Sequence, residues 1–316
     1  VLHPGQSDRD APARPCGRCP VTPRTYRVIH RTAYTYSATM SDGYSIAHLV
    51  PRTTEYQTVS RSEIEVDPPA SAIESYVDLF GNRVHQFGIH EPHAGLVVEA
   101  ISEVTIAERP EPVDSTPWEQ VVEQLDAATG GLAVDVATFR ATSHFVDLPS
   151  LGRELRAIAV EAFPPGRGIV DGARALTAQI HAGFEFDPAF SDVSTPLGNV
   201  LRARRGVCQD FAHLTVGALR SVGLAARYVS GYLETVPPPG QPRLVGADAS
   251  HAWASVWTPR AGWVDLDPTN GHLPAEHHVT VAWGRDYADV IPVRGVMIGP
   301  VADQQLDVAV DVERLP

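Results

Sequence analysis

The chain has 316 residues, 43% of them hydrophobic and 20% charged, a composition that suits a globular protein with room for two domains. A formal net charge of −13 argues against nucleic acid and anionic lipid as partners. No apolar run approaches membrane-spanning length, so no membrane association is expected, and three cysteines are too few for a disulfide framework.

Residues 1–24 are rich in Pro, Arg and Asp and read as a disordered tail. Its Cys16 and Cys19 form a single CxxC, two ligands where zinc needs four. The tail has no apolar core of signal-peptide length, so a cytoplasmic protein is the expectation. Residues 25–108 then read as a β domain. Tyr26 to Tyr36 is rich in aromatic and β-branched residues, Val59 to Val66 alternates, and Leu96 to Ile106 is a long last strand. Between them, Asp78-Leu79-Phe80-Gly81-Asn82 is a turn feeding a strand. Short strands between turn signals predict an antiparallel sandwich or small barrel.

From residue 109 to 316 the pattern changes. A Pro-rich connection leads to Thr116-Pro117-Trp118-Glu119, a helix start that should carry to about Ala128 and stop before Gly130-Gly131. Further helices are expected over 150–163, 170–182 and, after Thr195-Pro196, into Arg202. Strands are predicted at 224–234, in a hairpin of 251–257 and 263–267, and at 278–283, 297–298 and 306–312, with a mobile loop at Pro237-Pro238-Pro239-Gly240.

The stretch from Arg205 to Leu214 carries the chemistry. Cys208 follows Gly206, whose freedom of backbone angle would turn a loop sharply into a helix, and Ala212, Val216 and Leu219 share the cysteine's face. A sulfur in the first turn meets unpaired N–H groups and the positive end of the helix dipole, which favour its anionic, nucleophilic form. On the hairpin, His251, Trp253, Ser255 and Trp257 share one strand face, and Asp265 and Asp267 share a face of the next. A five-residue connection from Thr258 to Gly262 would set Trp253 opposite Asp267 and put His251 on the same side.

A cysteine on a helix, a histidine on a strand and an aspartate on the next strand resemble the transglutaminase-like superfamily of papain-type thiol enzymes. The resemblance rests on Gly206-Val207-Cys208, Ala218 to Arg227, Gly231-Tyr232, His251-Ala252-Trp253, and Trp263 through Asp267-Pro268-Thr269. Residues 30–36 and Asp78 to Asn82 likewise resemble the β domain that precedes the thiol domain in bacterial members. The resemblance implies an α+β chain: an N-terminal β sandwich or barrel, then a papain-like core of helices packed on an antiparallel sheet. It implies catalytic Cys208, His251 and Asp267, with Asp265 as a rival for the last, since the position before Pro-Thr is the family's.

The implied reaction is acyl transfer at an amide carbonyl of a peptide or protein substrate through a thioester, with hydrolysis of a peptide or isopeptide bond preferred. Protein-glutamine amine transfer is the alternative, and a non-catalytic peptide-binding module the reading from another class. Papain-type enzymes often place a Gln upstream of the cysteine as an oxyanion donor. Here Arg202 stands six residues before Cys208, so a Trp or Tyr would have to serve. Arg227 is expected to pair with a carboxylate, and Tyr232 either lines the cleft or packs in the core. His272, His277 and His278 fit no zinc signature and read as solvated loop residues, and no phosphate-binding glycine pattern appears, so neither metal nor cofactor is expected. Nothing in the pattern bears on oligomeric state.

Overall fold

The computed structural model describes residues 23–234, 249–300 and 303–316, so the CxxC of the tail and the Pro237–Gly240 loop lie outside the described residues. Six strands come first: β1 (Arg24–Met40), β2 (Asp42–Ala47), β3 (Gln57–Asp67), β4 (Ile73–Val77), β5 (Arg83–Ile89) and β6 (His93–Ile106). Alternation of apolar and polar residues gives each of the long ones one inward face. In β6, for instance, Leu96, Val98, Ala100, Ser102, Val104 and Ile106 are buried while the residues between them are not.

Helices follow: α1 (Trp118–Asp126), α2 (Gly130–Thr138), α3 (Leu148–Ala162) and α4 (Ile169–Gly183). The Gly130-Gly131 pair that reads as a terminator instead begins α2, with Gly130 at φ 66°. Asp147 caps α3 by accepting the Ser150 N–H at 3.2 Å. The two-residue strands β7 (Glu185–Phe186) and β8 (Arg205–Gly206) flank α5 (Leu197–Ala203) and pair in parallel.

Next come α6 (Cys208–Ser221), β9 (Ala226–Leu233), β10 (Ala249–Thr258), β11 (Gly262–Leu266) and β12 (His278–Gly284), then β13 (Val293–Ile298) and β14 (Gln304–Arg314). Strands β11-β10-β9-β12 form one antiparallel sheet, and α6 is the central helix laid on it, buried from Gln209 to Arg220. Ala252, Ala254 and Val256 of β10 belong to the same core as Ala212, Val216 and Leu219 of α6, small side chains that let helix and sheet approach closely.

The chain is thus α+β, with antiparallel sheets first and helices packed on a sheet after them. Its last two strands depart from the sequence reading, which places them with the 109–316 region. β14 pairs with β1 from Tyr26↔Arg314 to Tyr36↔Gln304, and β13 pairs with β2, so both complete the N-terminal sheets β14-β1-β6-β3 and β13-β2-β5-β4. Periodicity marks a strand but not its neighbour. β1 itself serves two cores: Tyr26 and Val28 join the core around α6, while Tyr36 and Met40 pack between the two N-terminal sheets.

Candidate active site

The start of α6 is built around Asp210. Its Oδ2 accepts the Val207 N–H at 2.9 Å and the Ser191 hydroxyl at 2.5 Å, so the third residue of the helix reaches back to satisfy the backbone just before it. Burial pushes the Asp210 carboxyl up, and these two bonds pull against that shift. Gly206 is required for space rather than for backbone angle. It has no positive φ, but a Cβ there would lie 2.7 Å from Asp210 Oδ2 and 2.9 Å from its Cβ. The left-handed residue is Arg204, at φ 53°, which ends α5. Cys208 follows as a free, half-buried thiol in the first turn.

The hairpin brings the imidazole and carboxylate together. Ala254 faces Leu266 and Ser255 faces Asp265, the register that, continued one step, sets Trp253 opposite Asp267 as the spacing predicts. His251 Nε2 lies 2.8 Å from Asp267 Oδ2, and the ring is within electrostatic reach of the Cys208 sulfur. Asp267 is fully buried and heavily served. Its Oδ1 accepts the N–H groups of Thr269 at 3.0 Å and Asn270 at 3.1 Å, and its Oδ2 accepts the Asn270 amide at 2.7 Å. Burial raises the Asp267 pKa, but the donors from His251, His278 and Asn270 outweigh it and hold the carboxyl far below its usual range. His251 shows the complement. Burial pulls it down, yet the Asp267 bond and the neighbouring sulfur carry it up to about 10.

His278 belongs to this cluster, contrary to its reading as a solvated loop residue. It opens β12, is 2% exposed, and sets Nε2 2.9 Å from Asp267 Oδ2. Burial lowers its pKa. His251, Asp267 and His278 place one ligand atom each within 4.8 Å of one another, the spacing of a candidate metal site. The hydrogen bonds fit a different assignment. The Ala275 N–H points at His278 Nδ1 at 3.3 Å, which makes that nitrogen the acceptor and leaves the proton on Nε2, aimed at the carboxylate. A nitrogen that carries a proton offers no lone pair to an ion. His272 is exposed, and His277 pairs with Glu234 at 2.7 Å.

The remaining singled-out residues separate cleanly. Asp265 turns to Arg109, 2.7 Å away, and makes no contact with His251. Arg202 is exposed and bonds Asn199. Tyr232 is 3% exposed and packs on His30, a core residue. Arg227 has no carboxylate in hydrogen-bonding range among the described residues, and lies instead on two indole rings. Tyr228 is the residue the sequence does not single out. It is 2% exposed and within electrostatic reach of Cys208, and burial keeps its phenol protonated well above the usual range.

Residues 26–105 match the family model of the bacterial transglutaminase-like N-terminal region, and residues 158–268 that of the transglutaminase-like superfamily. An uncharacterised protein of Mycobacterium tuberculosis is 39% identical over 298 residues, 91% of this chain and 92% of its own length. A protein-glutamine gamma-glutamyltransferase of Pseudomonas aeruginosa is 30% identical over 121 residues, 34% of this chain and 18% of that protein. Among solved structures, a candidate cysteine protease of Cytophaga hutchinsonii shares the fold at a TM-score of 0.72 and 20% identity, over 94% of this chain and 92% of the other. Among the described residues, no helix is long and apolar enough to cross a membrane.

Proposed function

Because this chain belongs to the bacterial transglutaminase-like family, we propose that Cys208, His251 and Asp267 act as a nucleophile, base and orienting carboxylate in acyl transfer at an amide carbonyl. The observation that carries the reading is the His251 ring, held at 2.8 Å by a buried carboxylate on one nitrogen and within electrostatic reach of the Cys208 sulfur. Asp267 fixes the ring's orientation and stabilises its positive form, which in turn stabilises a thiolate. The sulfur attacks the carbonyl carbon of a peptide or protein substrate. The oxyanion is met by the Cys208 N–H at the start of α6 and by the neutral Tyr228 hydroxyl, the donor we assign in place of the glutamine that Arg202 does not supply. His251 then protonates the leaving amine, and a thioester remains.

Water resolves that thioester in our reading, giving hydrolysis of a peptide or isopeptide bond. Hydrolysis asks least of the site, since water needs no dedicated subsite whereas an amine acceptor does. Amine transfer is the second reading, favoured by the name of the Pseudomonas relative. Iodoacetamide labelling near neutral pH tests the shared step. Cys208 should react faster than a model thiol, and His251→Ala should slow it by about 100-fold or more. Equal rates in the two proteins would overturn the assignment. Incorporation of a labelled primary amine into a glutamine-containing protein would replace hydrolysis by transfer.

A further inference from the structure

On the same sheet face as His251, further along the strands, lies a second polar site. Arg227 on β9 faces Ser255 on β10, which faces Asp265 on β11. The Arg227 guanidinium is stacked between two tryptophans, 4.4 Å from the Trp263 ring centre and 3.6 Å from that of Trp283, with Arg52 on the far side of Trp283 at 3.4 Å. It borders a cavity of about 560 Å³ whose walls include Trp263, Trp283, Phe80 and Phe139.

Arg227 is 8% exposed, yet its guanidinium donates no hydrogen bond to the described residues, and its Nε is buried without a partner. Such an arginine is expensive: its Nε–H is withdrawn from water and its charge largely so, with only indole faces in return. Burial lowers its pKa to about 9, which still leaves it charged near neutrality. Asp265 acts on Arg227 but gives its Oδ2 to Arg109 at 2.7 Å, so two arginines share one carboxylate and one positive charge is left over. Glu55 and Asp135 are exposed and line the same cavity.

We propose that this cavity binds a small organic monocarboxylate with an aromatic or aliphatic body, its carboxylate forked onto Arg227 and its apolar part against the tryptophans and phenylalanines. The one positive charge left over matches one negative charge. The carboxylates of Glu55 and Asp135 disfavour a dianion such as a phosphate ester. The volume falls within the range of small-molecule sites, and a planar guanidinium held in place by two rings is preorganised for a two-point carboxylate contact. None of this depends on Cys208 chemistry, and the site would stand if the acyl-transfer reading fell.

The test uses the full chain carrying Cys208→Ala, so that nothing is turned over. N-acetylphenylalanine, its C-terminal amide, phenyl phosphate and acetyl-Gly-Gly-Phe are titrated by calorimetry and by tryptophan fluorescence. Saturable binding of N-acetylphenylalanine is expected, with the amide and phenyl phosphate weaker by about tenfold or more. Comparable binding of acetyl-Gly-Gly-Phe would assign the site to peptide C-termini, and its failure beside a binding N-acetylphenylalanine would assign it to free acids. Arg227→Lys should lose about tenfold. Val134→Glu, at an exposed position lining the cavity, leaves the fold intact and should lose severalfold by charge alone. An amide that binds as well as the acid, variants that bind as the parent does, or no saturation below roughly 10 mM would each overturn the proposal.

Discussion

Replacing Gly206 by Ala tests whether the helix that begins at Cys208 is set by packing at one atom. The added Cβ would sit 2.7 Å from Asp210 Oδ2, a distance that real Cβ contacts essentially never show, and 2.9 Å from Asp210 Cβ, so rotating the carboxylate alone does not relieve it. Asp210 must shift, and with it the bonds from Val207 N–H at 2.9 Å and Ser191 at 2.5 Å. A hydrogen bond to a charged group is worth about 1.5–3 kcal/mol, which puts a ceiling of roughly 3–6 kcal/mol on losing both. The carboxylate can keep one of them by moving, so a loss of about 2 kcal/mol in urea unfolding is expected. Because Val207 and Asp210 flank Cys208, the sulfur moves relative to His251, and alkylation should slow by roughly tenfold to a hundredfold. Adding Asp210→Gly removes both clashing atoms and should recover part of the alkylation rate. A Gly206→Ala protein within about 0.5 kcal/mol of the parent and alkylated at the same rate would refute the steric argument.

Two further outcomes are expected. His278→Phe keeps the bulk but removes one donor from Asp267, which retains His251, Asn270 and two backbone N–H groups, so alkylation of Cys208 should fall only about threefold to tenfold. A solvated loop histidine would give no change, so an unaltered rate would remove His278 from the site. His213, buried on α6 with Nε2 accepting the Tyr287 N–H at 3.2 Å, is lowered by burial from 6.5 to about 3. Between those values the unfolded chain binds its proton and the folded chain does not, so stability should fall with falling pH by about 1.4 kcal/mol per unit. His213→Gln keeps an acceptor and should flatten the pH 6 to 4 slope from urea unfolding by about that amount, and an unchanged slope would contradict it.

The parts of the site legible in the sequence are those set by local rules. Helical spacing after Cys208 fixes α6, and strand parity together with the short connection fixes the register that aligns His251 with Asp267. Parity could not separate Asp265 from Asp267, because both point the same way. What distinguishes them is that Asp267 stands where β11 has ended and the chain turns back, so the Thr269 and Asn270 N–H groups close on its carboxylate. His278 was hidden for a different reason. It opens β12, at the opposite edge of the sheet from β11, so strand parity does not pair it with Asp267, which it meets only in the folded chain. Gly206 was legible as a necessity, but the reason assigned from sequence, backbone angle, differs from the one in the fold, which is a neighbour four residues on in the first turn of α6.

The N-terminal strands also acquire a role that their pattern does not announce. β12 is an edge strand, and an uncovered edge leaves backbone groups unpaired. Two side-chain amides from the N-terminal region cover it. Gln57 donates to the Thr280 carbonyl at 2.7 Å and accepts its N–H at 2.8 Å, and Asn82 does the same for Trp283 at 2.9 and 3.0 Å. Each amide stands in for one residue of a missing fifth strand. Asn82 is aimed by the turn it closes, in which Asp78 accepts the Asn82 N–H at 2.7 Å and its side-chain amide at 2.8 Å, with Gly81 at φ 76° making the bend. The Asp78-Leu79-Phe80-Gly81-Asn82 motif is therefore a clamp on β12. That strand carries His278 at one end and Trp283 at the other, so the same clamp holds the histidine against Asp267 and the indole against Arg227. The β region thus bears on both sites without contributing a reacting group to either.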